Sequence, residues 1–84
     1  RIEAYGNLDE LNAVLGVILT DQKMNNETRV RLERTQGELF QLGAELATPP
    51  NKKVSTALIT ETEIVRLEKE IDLMEESLPP LKNF

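Results

Sequence analysis

Apolar positions recur along this chain at alternating steps of three and four, in three runs separated by two polar stretches. Ala4, Leu8, Leu11, Leu15 and Ile18 predict a first helix from about Arg1 to Leu19. Leu32, Thr35, Leu39, Leu42 and Leu46 predict a second from about Glu27 to Ala47, stopped by Pro49 and Pro50. Ile64, Leu67, Ile71, Met74 and Leu78 form an a/d seam on a third, which starts at Thr60 and ends at Pro79 and Pro80. Either asparagine of the pair Asn25–Asn26 suits the cap of the second helix, and Thr60 with Glu63 makes a capping box for the third. Between them, VSTALIT carries strand-favouring residues, but a lone strand has nothing to pair with, so an ordered loop is expected. Burying three apolar seams, at about 1.5–3 kcal/mol per large side chain, specifies a helical bundle. The pattern therefore reads as all-α.

The first helix carries a second pattern beside its apolar stripe. At 100° per residue, Tyr5, Asp9, Asn12 and Gly16 fall within roughly 60° of one another. A polar group inside a bundle is costly unless it is paired. Asp9 suits two readings: a salt bridge, best made to an arginine, that fixes helix or subunit register, or a carboxylate orienting a group at a site. Asn12 reads as an amide bonded to backbone or a neighbouring helix, with a substrate contact as the other possibility. Tyr5 reads as a core aromatic with its hydroxyl at the rim. Glycine costs up to about 1 kcal/mol in a helix relative to alanine, so Gly6 and Gly16 imply close approach of a helix or ligand. Gly43, beside Leu39 and Leu42, permits the same on the second helix. Val14 and Val17 extend the apolar surface of the first helix towards a second subunit.

Composition narrows the chemistry. The chain has 84 residues and a net charge of −5, with both signs interspersed. The arginines between Arg29 and Arg34 alternate with apolar and acidic residues, which argues against a nucleic-acid surface. No run approaches a membrane span. Without cysteine there is no disulfide or thiol chemistry, which fits a reducing, cytoplasmic compartment. Without histidine the commonest zinc ligand and neutral-pH base are missing. Glu68, Asp72, Glu75 and Glu76 read as a solvated side of the third helix. No metal site and no catalytic acid, base or nucleophile is predicted. The chain begins inside the helical pattern and ends just after PPLKN, which reads as a segment of a longer protein.

Four motifs in order, RIEAYGNLDELNAVLG (Arg1–Gly16), LFQLGAELATPP (Leu39–Pro50), LEKEID (Leu67–Asp72) and LPPLKNF (Leu78–Phe84), resemble the trimeric, propanediol-utilisation type of ATP:cob(I)alamin adenosyltransferases. The resemblance covers essentially the whole chain. It implies the first three helices of a five-helix bundle, with residues 1–84 forming a partial domain.

The family resemblance also implies an activity: transfer of the 5′-deoxyadenosyl group of ATP to cob(I)alamin, releasing triphosphate, with Mg2+ accompanying the nucleotide. It implies a homotrimer with sites between subunits. On the residues that match, Asp9 is expected to form an intersubunit salt bridge with an arginine of a later helix. Asn12 and Tyr5 are expected to shape the adjoining site, and Phe84 to occupy the lower face of the corrinoid pocket. The family's glycine- and threonine-rich ATP loop would precede Arg1, and its arginine-bearing helix would follow Phe84. The 84 residues alone are therefore expected to be inactive. The alternative is a non-enzymatic helical interaction module.

Overall fold

The computed structural model describes residues 2–53 and 58–81. Among these the fold is all-α, with three helices: α1 (Ile2–Ile18), α2 (Asn26–Ala47) and α3 (Glu61–Glu75). Their starts follow local chemistry. Asn25, in extended conformation, caps α2 by accepting from the Thr28 amide at 2.8 Å. Thr60 caps α3, and Glu63 reaches back to accept from the Thr60 amide at 3.0 Å, so the predicted capping box is formed. The second helix ends at Ala47, before the two prolines. The third ends at Glu75, three residues short of the last seam position. Leu78 falls in a turn there, its amide bonded to the Glu75 carbonyl, because a residue preceding proline is steered out of helical conformation. Residues 54–57 of VSTALIT lie outside the described residues. Leu58 and Ile59, which follow them, are in neither helix nor strand, and the Ile59 amide donates to Glu45 on α2.

The helices α1 and α2 form an antiparallel pair, since Tyr5 meets Gly43 while Asn12 meets Gln36. Arg29 closes the turn between them. Its guanidinium donates to the Leu19 carbonyl at 2.6 Å and the Asp21 carbonyl at 2.7 Å. The last turn of α1 has no basic residue of its own, so Arg29 supplies the cation its carbonyl end favours. The predicted seam of α2 faces inward as expected, with Leu32, Thr35, Leu39, Leu42 and Leu46 all half-buried.

Two expectations about packing need correction. The half-buried positions of α1 are Leu8, Asn12, Leu15 and Gly16, followed by Leu19 just beyond its end, whereas Ala4, Leu11 and Ile18 are exposed. Relative to the predicted stripe, the face towards α2 is turned by roughly 60° at 100° per residue, onto the polar line. The second correction concerns α3. Its seam residues Ile64, Leu67, Ile71, Met74 and Leu78 are 36 to 62% exposed. The side facing α2 is charged instead. Arg34 and Arg31 of α2 both reach Glu70, the latter at 3.7 Å, and Glu38 pairs with Arg66. On α2, Arg31, Arg34 and Glu38 share one stripe, and the complementary stripe of α3 settles on it.

No large apolar side chain is fully buried among the described residues. No Cα of α3 comes within 8 Å of one in α1 or α2, so side-chain ion pairs span that interface. The arrangement is elongated, 48 × 28 × 26 Å. Its radius of gyration is 15.4 Å, against roughly 12 Å for a ball-like domain of this length. No helix is long and apolar enough to cross a membrane.

Candidate functional site

The polar line of α1 faces a concavity of about 110 Å³ between α1 and α2. Tyr5, Asp9 and Asn12 form one wall, and Phe40, Gly43 and Ala47 of α2 form the other. Three of the four site residues expected from the sequence are thus brought together. The fourth, Phe84, lies outside the described residues.

Each wall residue is held differently. The Tyr5 ring lies over Gly43, which is buried; a methyl group at Gly43 would stand 3.4 Å from Tyr5 Cε2. This is the close approach that a glycine beside Leu39 and Leu42 was expected to permit. Tyr5 itself remains 47% exposed at the rim. The Asn12 amide donates through Nδ2 to the Gln36 carbonyl at 3.4 Å, which makes it a neighbour-bonded amide. Its Oδ1 is enclosed without a partner. Asp9 is exposed, and among the described residues its carboxylate makes no ion pair or hydrogen bond.

Phe40 was not singled out from the sequence as a site residue. It is 70% exposed on the inward-leaning edge of α2 and lines the same concavity. The signal was present: an aromatic three residues before Gly43, off the half-buried leucine seam. Gln36 was missed for a different reason, because an uncharged amide within a helix carries no motif.

The remaining polar residues serve structure. Arg29, Arg31 and Arg34 are occupied with carbonyls and carboxylates. Glu70 is held below the usual carboxylate range, chiefly by the hydrogen bond from Arg34, and further by the charges of Arg34, Arg31 and Arg66 against an opposing cost of burial. Glu68, Asp72, Glu75 and Glu76 are exposed, as a solvated side requires. No group of three or more His, Cys, Asp or Glu is placed to hold a metal ion among the described residues.

A wall of one tyrosine, one carboxylate, one amide and one phenylalanine has no nucleophile with a base. It can bind and orient a ligand that has both apolar surface and polar edges. At about 110 Å³ it cannot enclose one, because pockets for drug-sized ligands run to roughly 300–1,000 Å³.

Residues 1–84 match the model of the cobalamin adenosyltransferase family. The chain is 41% identical over 85 residues to the corrinoid adenosyltransferase PduO of Citrobacter freundii, covering all of this chain and 25% of that protein. It is 37% identical over 93 residues to the corrinoid adenosyltransferase of Mycobacterium leprae, covering all of this chain and 47% of that protein. Against the corrinoid adenosyltransferase of Bacillus subtilis the identity is 34% over 87 residues, with 44% of that protein covered. No solved structure matches the chain. The chain belongs to the cobalamin adenosyltransferase family, and it spans between a quarter and a half of the length of these relatives.

Proposed function

We propose that the full-length protein containing this chain transfers the 5′-deoxyadenosyl group of ATP to cob(I)alamin. The observation that carries this reading is the meeting of Tyr5, Asp9 and Asn12 in one concavity, in a chain of this family. Reduced cobalt is the nucleophile: the cobalt–carbon bond forms at C5′ as the C5′–oxygen bond breaks, and triphosphate leaves with the electron pair. The protein then needs no nucleophile of its own, only groups that hold the two substrates in line.

In this reading the chain supplies one wall of the corrinoid side. Tyr5 and Asn12 shape that wall, and Phe84 occupies the lower face of the corrinoid and discourages axial ligation. Asp9, exposed at the mouth of the concavity, pairs with an arginine of a neighbouring subunit. The remaining walls come from the rest of a five-helix bundle and from an adjacent copy in a homotrimer. The small volume of the concavity supports a shared site, as does the apolar outer face of α1, where Leu11, Val14 and Ile18 are exposed. Magnesium travels with the triphosphate of the nucleotide, and none of the described residues is assigned to it. The location is cytoplasmic.

The test is ATP-dependent formation of the cobalt–carbon bond from cob(I)alamin, followed by absorbance. Activity is expected of the full-length protein and not of residues 1–84 alone. A full-length protein that forms no such bond would overturn the assignment and favour a helical interaction module.

A further inference from the structure

Asn12 and Gln36 clasp each other across α1 and α2. Asn12 Nδ2 donates to the Gln36 carbonyl at 3.4 Å, and Gln36 Nε2 donates to the Asn12 carbonyl at 3.3 Å. Both acceptors are backbone oxygens inside helices, so the amide orientation is fixed by the need for a donor on each side. The Asn12 carbonyl also belongs to the helical ladder, in which it faces the amide of Gly16. A side chain at position 16 would project over that carbonyl. Gly16 leaves the space open, and Gln36 Nε2 comes to within 3.5 Å of where its Cβ would stand. A methyl group there would make ordinary contact with the amide, and only a larger side chain would displace it.

We propose that Gln36 is a positioning residue for the binding wall. By holding the Asn12 carbonyl over Gly16, it fixes how α1 slides and turns along α2. That register carries the Tyr5 ring onto Gly43 and sets Asp9 and Asn12 in the concavity. Apolar packing alone does not define the register, because the α1 face towards α2 holds only Leu8 and Leu15 as large apolar residues, with Leu19 just past its end, none fully buried. The clasp also leaves Asn12 Oδ1 enclosed and unpaired, so the pair is retained at a cost in stability. A directional pair kept at such a cost specifies geometry. For its ligand, the inference rests on the corrinoid reading above.

The experiment uses the full-length protein with Gln36→Leu, which keeps the bulk and removes the donor, and Gln36→Glu, whose carboxyl donates only when protonated. Gly16→Leu, which occupies the place of the amide, is the independent lever. Each substitution is expected to raise the KM for cob(I)alamin about tenfold, the equivalent of one hydrogen bond, and to change the KM for ATP less than about twofold. At neutral pH the carboxylate of Gln36→Glu is ionised and cannot donate, so its defect is expected to be at least that of Gln36→Leu. Unchanged corrinoid KM in Gln36→Leu and Gly16→Leu, or in Gln36→Glu, would overturn the proposal. Should the wild-type protein form no cobalt–carbon bond, the adenosyltransferase reading fails by itself. The positioning claim is then decided by the nuclear Overhauser contact between the Tyr5 ring and the Gly43 α-protons. Loss of that contact in Gln36→Leu supports the claim, and its persistence contradicts it.

Discussion

The ring of Tyr5 on α1 rests on Gly43 of α2, close enough that a methyl group at Gly43 would sit 3.4 Å from Tyr5 Cε2. Gly43 is the buried residue of α2, and the aromatic ring fills the space its missing side chain leaves. The contact converts a helix glycine into a seat for one wall of the concavity.

Substitution at Gly43 is accordingly graded by size. Gly43→Ala places its methyl at the edge of ordinary contact and gains helix propensity of up to about 1 kcal/mol, so stability is expected to hold or rise slightly. Gly43→Leu has no room beneath the ring and is expected to cost about 1–3 kcal/mol, as overpacking does. Chemical denaturation of the two variants checks this ordering. Equal midpoints for both would show that the Tyr5–Gly43 contact does not form.

Attachment of α3 to α2 is expected to weaken in acid. Glu70 is bonded to Arg34 and held below the usual carboxylate range, so its pKa is lower folded than unfolded. The stability it contributes is fully present above the unfolded value near pH 4.3 and is lost as the pH falls through the lower folded value. Gln at position 70 removes this titration. Amide hydrogen exchange in α3 should therefore accelerate in acid more steeply for the wild type than for Glu70→Gln, after correction for intrinsic rates. Parallel acid profiles would refute the role of the ion pair.

Helix starts are the most local features of the fold, and their loss should be correspondingly local. Thr60→Ala removes the acceptor for the Thr62 amide and one half of the capping box, at an expected cost of about 1 kcal/mol. The loss should appear as fraying of the first turn of α3 by hydrogen exchange, with α1 and α2 unaffected. Faster exchange throughout the chain would contradict it.

What was legible in the sequence follows how far each signal reaches. Asn25, Thr60 and Glu63 act within four residues of themselves, so the caps and helix starts could be read directly. Periodicity identified the apolar side of each helix but not its neighbour. On α3, the apolar side of Ile64, Leu67 and Ile71 is exposed, while the side turned to α2 carries Arg66 and Glu70, which meet opposite charges there. On α1, Leu11 and Ile18 are exposed for a related reason: the clasp with Gln36 and the seat on Gly43 draw the polar line inward. Tyr5, Asp9 and Asn12 were legible as a group because they share one helix face, and the motif around them gave the group a meaning. Phe40 and Gln36 come to them from another helix, and only the folded pairing of α1 with α2 brings them there.

Asp9 is the residue on which the account turns, because it lies exposed at the mouth of the concavity with its carboxylate unpaired among the described residues. The most direct measurement is corrinoid affinity and turnover of Asp9→Asn in the full-length protein, set beside its thermal unfolding. The substitution keeps the shape and removes the charge. Loss of one partner of a charged pair at a site is expected to lower corrinoid affinity at least about tenfold, with the unfolding midpoint little changed. Wild-type affinity and turnover in Asp9→Asn would contradict the claim that this face of α1 organises the corrinoid site.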